Sequence, residues 1–287
     1  MQTSNTVAMP TSNPIINNSN TFALHPFHIV ALSPWPILMS ISIFGMLASA
    51  AMWFNSLNGA GLGLLIGLTS VIVMMINWFG DITGESALIG LHTKIVAKAH
   101  VMGMGLFIST EAMFFFSIFW AFFHSALAPT VELGSEWPPA GIDAVNPLII
   151  PLLNTGLLMS SGATVTYAHH SFFTGNRSAA IGGMILTLIL AVVFTALQAY
   201  EYGVSEFTIA DGAFGSCFYF STGFHGMHVI VGTLMLAVAF ARLLVYSVTR
   251  EHHVGVEAGI LYWHFVDVVW IFLYIFVYGW TAALSFI

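Results

Sequence analysis

Long apolar runs dominate the chain and are interrupted only by short polar turns. Most of the runs reach the roughly 20 residues that an α-helix needs to cross a bilayer. They are continuous rather than alternating at every second residue, which favours helices over the strands of a membrane barrel. The pattern therefore predicts an all-α integral membrane protein with seven transmembrane helices. The predicted spans are Ser33–Phe54, Gly61–Phe79, Lys94–Leu127, Ile149–His170, Ala179–Tyr200, Phe214–Tyr246 and Gly255–Phe286.

The polar segments divide the chain into four parts. Residues 1–24 are an extension rich in Asn, Ser and Thr, without the basic residues of a secretory signal or a transit peptide. Residues 25–79 contain the first two predicted helices, and residues 94–287 contain the last five. The loop between these parts, residues 80–93, is longer and more polar than most other turns. We expect it to be a hinge between two helix bundles.

The composition agrees with a membrane protein and excludes several other classes. Of the 287 residues, 58% are hydrophobic and only 6% are charged, whereas soluble domains contain about 25% charged residues. The single cysteine, Cys217, cannot form an internal disulfide or a CxxC metal site. Five basic residues against twelve acidic ones do not give the positive surface that nucleic acids require. We therefore expect no nucleic-acid partner.

The few basic residues determine the expected orientation. With seven spans, all five of them fall on the same side as the N-terminus. The loops of the opposite side carry no basic residue, and their acidic residues are Glu132, Glu136, Asp143, Glu201, Glu206 and Asp211. The positive-inside rule makes the basic side the matrix or the cytoplasm. The five residues are Lys94, Lys98, Arg177, Arg242 and Arg250.

Glu111 is the most unusual polar residue, because it lies near the middle of the third predicted helix. An ionised carboxylate at that depth costs at least about 2.5 kcal/mol, so the group should be protonated, paired or hydrated. His100 lies three turns earlier on the same helix face. Glu111 could be a proton-accepting or gating carboxyl, or a protonated acid that hydrogen-bonds between helices. Either role requires that it faces the protein interior.

The histidines of the last two predicted helices suggest either structural pairing or metal binding. His264 precedes a second buried acid, Asp267, by one turn, so the two side chains can share a hydrogen bond. His225 and His228 are also one turn apart, at a spacing that haem and copper ligands use. Histidines that hydrogen-bond across helices are nevertheless commoner in membrane bundles. We therefore expect structural histidines and no metal site.

Several motifs along the chain identify a family that they resemble. They are HPFHIVALSPWP at His25–Pro36, GLHT at Gly90–Thr93, LFISTEAMFFFSIFWAFFHSALAP at Leu106–Pro129, EWPPAGI at Glu136–Ile142, PLLNT and TYAHH within Pro151–His170, TGFHGMHV at Thr222–Val229 and YWHFVDVVWIFLY at Tyr262–Tyr274. They resemble subunit III of the aa3-type haem–copper cytochrome c oxidases of mitochondrial type. The resemblance extends over about residues 25–285, in order and with matching spacing.

The resemblance implies two bundles of two and five helices, separated by a V-shaped cleft that holds phospholipids. It also implies a non-catalytic core subunit of a proton-pumping oxidase that transfers electrons from cytochrome c to oxygen. Such a subunit supports proton uptake, active-site stability and lipid and oxygen access. Haem a, haem a3 and copper would lie in partner subunits, and this chain would bind phospholipid but no cofactor of its own. The expected partners are subunits I and II, accessory subunits and lipids of the mitochondrial inner membrane, or alternatively of a bacterial plasma membrane.

The resemblance further implies a site for lipid headgroups. Three candidates occupy positions that hold headgroups in the family, and the fourth, a tryptophan, has an amphipathic ring suited to the membrane interface. Two arginines that are usual in the family are replaced here by Gly80 and Gly84, which removes cationic groups expected nearby. The candidates are Trp78, Glu85, His92 and Arg242.

Two other functions remain open from the residues alone. The chain could be an independent membrane metalloenzyme with histidine ligands, or a proton transporter that uses Glu111. Metal analysis of the isolated chain separates the first of these from an oxidase subunit. Co-purification with a complex that contains haem a distinguishes an oxidase subunit from a proton transporter.

Overall fold

The computed structural model describes residues 25–87, 89–249 and 252–284. The predicted extension, residues 1–24, and the basic residue Arg250 lie outside the described residues. The regular structure that is described is helical throughout, which confirms the all-α fold. The seven long helices are Trp35–Phe54 (α1), Ala60–Ala87 (α2), Lys94–Leu127 (α3), Ile150–Thr174 (α4), Arg177–Val204 (α5), Gly212–Leu244 (α6) and Val254–Phe272 (α7).

Three shorter elements complete the described helices. A 3₁₀ turn, Val131–Leu133, follows α3. Helix α7 continues without a break as a π-helix, Leu273–Trp280, and ends in the α-helical turn Thr281–Leu284. In a π-helix the hydrogen bonds join residues i and i+5 instead of i and i+4. Successive side chains of this last segment are therefore spaced differently around the helix axis from those of α7.

The chain divides into two compact units between Val96 and Ala97. In the first unit, α1 and α2 form a hairpin joined by a short turn. A Cβ atom at Gly67 of α2 would collide with the backbone of Met46 on α1. The two backbones approach closely because no side chain separates them, as is common between transmembrane helices. Helix α1, which is described in full, has no buried residue.

Helix α2 extends further than the sequence predicts. Residues 80–87, which were predicted to begin the hinge loop, form its last two turns. Isolated glycines such as Gly80 and Gly84 cost a helix only about 1 kcal/mol each. Asp81, in the same segment, accepts a hydrogen bond from the indole N–H of Trp35 on α1, which stabilises the extension. The hinge role of the remaining loop stays a prediction.

The core of the second unit is formed by residues of helices α3 to α7. Trp263, Val266 and Trp270 of α7 are completely buried, and they meet Leu236 of α6 and Phe194 of α5 in the same cluster. The rings of Phe194 and Trp270 pack edge to face with their centroids 4.9 Å apart, an arrangement that aromatic pairs prefer. This packing fixes the rotation of α7 and thereby the positions of its polar residues.

Helix α4 differs from the other six long helices. Those six are long and apolar enough to cross a membrane by length and composition, and α4 is not among them. Its polar side chains turn towards α7: Thr155 accepts a hydrogen bond from the indole of Trp270, and Ser161 accepts one from Trp263, each at 2.9 Å. Polar groups satisfied in this way can lie inside a membrane bundle. Apolar composition therefore supports six of the seven predicted spans in this multi-pass membrane protein.

Candidate functional site

Glu111 on α3 is paired with His228 on α6. The carboxylate Oε2 lies 2.9 Å from the imidazole Nε2. The His228 side chain is 6% exposed and that of Glu111 is 25% exposed, so the acid sits at the edge of the helix contact rather than in its centre. Of the states expected for Glu111 from the sequence, the structure shows the paired one.

The second nitrogen of His228 determines which proton states this pair can adopt. Its Nδ1 lies 2.7 Å from the carbonyl oxygen of Phe224, and because a carbonyl can only accept, Nδ1 donates. In a neutral imidazole Nε2 is then an acceptor, so Glu111 must carry the proton. If the ring is an imidazolium, Glu111 is a carboxylate. In either state one proton lies between the two groups, and the pair has no net charge, as a membrane interior requires.

Asp267 and His264 form a second acid–imidazole pair, on α7. Asp267 Oδ2 lies 3.4 Å from His264 Nδ1, slightly longer than a normal hydrogen bond. The other ring nitrogen, Nε2, lies 3.2 Å from the hydroxyl of Thr166, which itself donates to the carbonyl of Gly162 at 2.8 Å. Nε2 therefore donates, and Nδ1 faces the acid. A side chain at Gly162 would collide with Asp267, so the glycine makes room for this pair.

His225 does not make the interhelical hydrogen bond that the sequence predicts. It is completely buried, and its ring packs against Phe194 and Trp270 with centroid distances of 5.9 and 5.2 Å. Among the described residues, neither of its ring nitrogens has a hydrogen-bond partner. The nitrogens of its neighbour His228 are already engaged by Phe224 and Glu111. These two histidines therefore do not converge on a common metal position.

Sequence reasoning missed a buried network around Glu201, a residue that it assigned to the acidic loops. Glu201 lies near the end of α5 and is only 1% exposed. Its Oε1 accepts hydrogen bonds from the hydroxyl of Tyr278 at 2.6 Å and from the amide of Gln198 at 3.2 Å. Asn154 of α4 donates to the same Gln198 side chain at 3.3 Å. The available signal was Gln198 itself, an amide one turn before the acid in an otherwise apolar run.

Two of the predicted lipid residues, Glu85 and His92, lie together in the first unit. With His28, each offers a nitrogen or oxygen atom within 4.8 Å of the others. The rings of His28 and His92 have centroids 5.6 Å apart. Trp78 is partly exposed on α2, two turns before Glu85. The cluster thus combines hydrogen-bond donors and an acceptor, and an amphipathic ring lies two turns away on α2.

The remaining lipid candidate, Arg242, lies near the end of α6 in the second unit. Its side chain is half-buried, and within the described part of the chain its Nε has no hydrogen-bond partner. The nearby Arg177 is engaged differently. Its guanidinium donates to the carbonyl of Leu244 at 3.0 Å and lies 3.4 Å from the centre of the Tyr246 ring. The Nε of Arg242 is therefore covered by the protein, and only the outer part of its half-buried guanidinium could face a phosphate.

Comparison with known proteins gives consistent matches over nearly the whole chain. The family model described as cytochrome c oxidase subunit III matches residues 25–282. The chain is 57% identical over 266 residues to cytochrome c oxidase subunit 3 of Mycosarcoma maydis, covering 91% of this chain and 97% of that protein. It is 56% identical over 263 residues to that of Podospora anserina, covering 92% and 98%. It is 52% identical over 258 residues to that of Patiria pectinifera, covering 90% and 98%.

Proposed function

Because this chain belongs to the cytochrome c oxidase subunit III family, it is a non-catalytic subunit of the terminal respiratory oxidase, and we propose that it supports proton uptake and active-site stability in the catalytic subunit. The family match over residues 25–282 is the observation that carries this proposal. The haems and copper of the oxidase lie in other subunits. The proposed partners of this chain are subunits I and II, accessory subunits and membrane phospholipid.

Native purification tests this function. A complex captured through this chain is expected to contain the other oxidase subunits and to show the visible spectrum of haem a. A chain that purifies alone, without haem a, would contradict the proposal. Haem or copper bound by His225 or His228 of the isolated chain would then favour a metalloenzyme. Proton flux through vesicles containing the chain, abolished by Glu111→Gln, would favour a transporter.

The proposed location is the mitochondrial inner membrane, with the N-terminus in the matrix. This orientation is supported by the basic residues, which the sequence predicts on the same side as the N-terminus. The positive-inside rule makes that side the matrix. Four of them lie at or near the ends of described helices, namely Lys94, Lys98, Arg177 and Arg242. Protease cleavage of residues 1–24 and of the turn at Arg177 from opposite faces of the membrane would refute this orientation.

The proposed role in proton uptake rests on the pair of Glu111 and His228. A carboxyl and an imidazole that share a proton can exchange it with little change in net charge, which keeps the cost low inside a membrane. The 25% exposure of the Glu111 side chain leaves part of the carboxyl accessible from outside the second unit. The pair can thus hold a proton next to a surface available to a partner subunit.

Reaction with a hydrophobic carbodiimide is expected to modify Glu111 more than the exposed loop acid Glu206. The reagent partitions into the membrane and reacts with protonated carboxyls, and the pair with His228 contains a protonated Glu111 state. Labelling is measured by mass spectrometry of peptides from the purified complex. Equal modification of the two acids would contradict a protonated Glu111 within the membrane.

The chain is further proposed to bind phospholipid headgroups at two places. In the first unit, Glu85 and His92 supply an acceptor and a donor. In the second unit, Arg242 supplies a half-buried guanidinium. An anionic phosphate at the membrane edge requires such donors. An apolar groove of about 750 Å³ on the second unit, lined by residues of α3 and α7 such as Phe119 and Phe272, has a surface suited to an acyl chain.

Arg242→Ala is expected to remove about one tightly bound phospholipid per complex, because the variant lacks the guanidinium that would hold a phosphate at the membrane edge. Bound phospholipid is measured by mass spectrometry after purification in detergent. The number of complexes is determined from the haem a content, so that lipid is expressed per complex. Arg177→Ala is the matched control, since its guanidinium is occupied by Leu244 and Tyr246. An unchanged lipid content in Arg242→Ala, or an equal loss in both variants, would contradict the assignment.

A further inference from the structure

Three potential metal ligands converge where α4 ends and α7 begins. His169 lies in the last two turns of α4, His253 is the residue immediately before α7, and Glu257 lies in the first turn of α7. Each offers one ligand atom, and these atoms all lie within 4.8 Å of one another. This cluster could not be recognised from the sequence, because His169 is far from the other two residues along the chain.

Three of the four imidazole nitrogens of this cluster are buried and lack hydrogen-bond partners among the described residues. His253 is 8% exposed, and neither its Nδ1 nor its Nε2 makes a hydrogen bond; the same is true of His169 Nε2. His253 Nε2 lies 3.0 Å from Glu257 Oε1, yet the two atoms are not aligned as donor and acceptor. Leaving buried polar groups unpaired costs about 1–3 kcal/mol each. A ligand that binds these atoms would remove that cost.

An ordinary ion pair does not account for this arrangement. If His253 were protonated to pair with Glu257, its Nδ1–H would remain a buried donor without an acceptor. A metal ion bound to neutral imidazoles instead uses nitrogen lone pairs. Ligand atoms that share a tetrahedral zinc at 2.0–2.1 Å lie about 3.3 Å apart, close to the 3.0 Å between Nε2 and Oε1.

The surroundings provide both support and access for an ion. The rings of Phe172 and Phe173 contact His253 edge to face, with centroid distances of 5.6 and 4.8 Å, and so hold the imidazole in place. A cavity of about 380 Å³ beside the cluster is lined by His253, Glu257 and residues of α3, among them Lys98. The Lys98 ammonium opposes a cation, but the residue is exposed, so its flexible side chain can extend into solvent.

We propose that His169, His253 and Glu257 form a binding site for a divalent zinc ion. Two imidazoles and one carboxylate are a common zinc ligand set, which leaves a fourth position for water. The one-turn pairs predicted from the sequence, His225 with His228 and His264 with Asp267, contain none of these three residues. The proposal therefore replaces the expectation that this chain contains no metal site.

Zinc content of the purified complex tests this site. After equilibration with Zn²⁺ alone and removal of unbound metal, the wild-type chain is expected to hold about one zinc ion more than His253→Gln or His169→Gln, because each variant loses a ligand. His170→Gln is the matched control, since this neighbouring exposed histidine is not part of the cluster. Zinc is counted per chain, so the result does not depend on the oxidase assignment. Equal zinc in wild type and both ligand variants would overturn the proposal.

A direct position measurement covers the case in which the ligand variants do not assemble. Anomalous diffraction at the zinc edge from wild-type crystals equilibrated with Zn²⁺ is expected to show a peak between His169, His253 and Glu257. Lys98→Met, which changes a residue outside the ligand set, is expected to bind zinc more tightly because a nearby positive charge is removed. Anomalous peaks only at other residues, or no peak at all, would overturn the site.

Discussion

Gly183→Val is expected to release this chain from the purified oxidase at a lower temperature than wild type. A Cβ at Gly183 of α5 would lie 2.9 Å from the Ala168 Cβ and 3.0 Å from the Thr164 carbonyl oxygen of α4. The carbonyl belongs to the helix backbone and cannot move aside without separating the two helices. Overpacking of this kind typically costs about 1–3 kcal/mol. The measurement is the amount of this chain that remains in the complex after heating, relative to the amount of haem a.

The neighbouring glycine provides the control for this prediction. No described atom lies within 4 Å of a Cβ at Gly182, which is exposed. Gly182→Val is therefore expected to change stability by no more than about 0.5 kcal/mol, as for other surface substitutions. If the two variants lose the chain at the same temperature, the close approach of α4 and α5 does not limit stability.

Tyr278→Phe is expected to destabilise the second unit by about 1–3 kcal/mol, the cost of leaving a buried polar group without its partner. Tyr278 and Glu201 are each 1% exposed, and the lost hydroxyl donates the 2.6 Å hydrogen bond to Glu201. Only the weaker bond from Gln198 would remain to the acid. Stability is measured by the detergent or heat needed to release the chain from the complex.

A double variant separates this bond from general packing effects. Tyr278→Phe combined with Glu201→Leu is expected to be less damaging than the sum of the single changes, because the acid that loses its partner is also removed. Tyr274→Phe, a partly exposed tyrosine on the same π-helical segment, is the control and should behave like wild type. Additive losses would show that the hydroxyl and the acid do not depend on each other.

Site residues were predictable to different degrees. Glu111 stood out because a charge in the middle of an apolar helix is costly, and one-turn spacing brought together His264 and Asp267. The partner of Glu111, His228, was singled out only for its spacing from His225, since the contact joins two helices that are distant in sequence. Glu201 was misplaced because a residue near a helix end can face either the loop or the core, and only the packing of Tyr278 decides which.

The sequence by itself determined the membrane class, the helical fold and the family, because long apolar runs admit few other solutions in lipid and the motifs extend along the chain. Hydropathy is a sum over individual residues, however, and does not determine how each helix is rotated about its own axis. Only the tertiary structure decided that the polar side chains of α4 bond to α7, and that His169 meets His253 and Glu257. These contacts depend on close approaches such as that at Gly183, which set the rotation and depth of each helix against its neighbours.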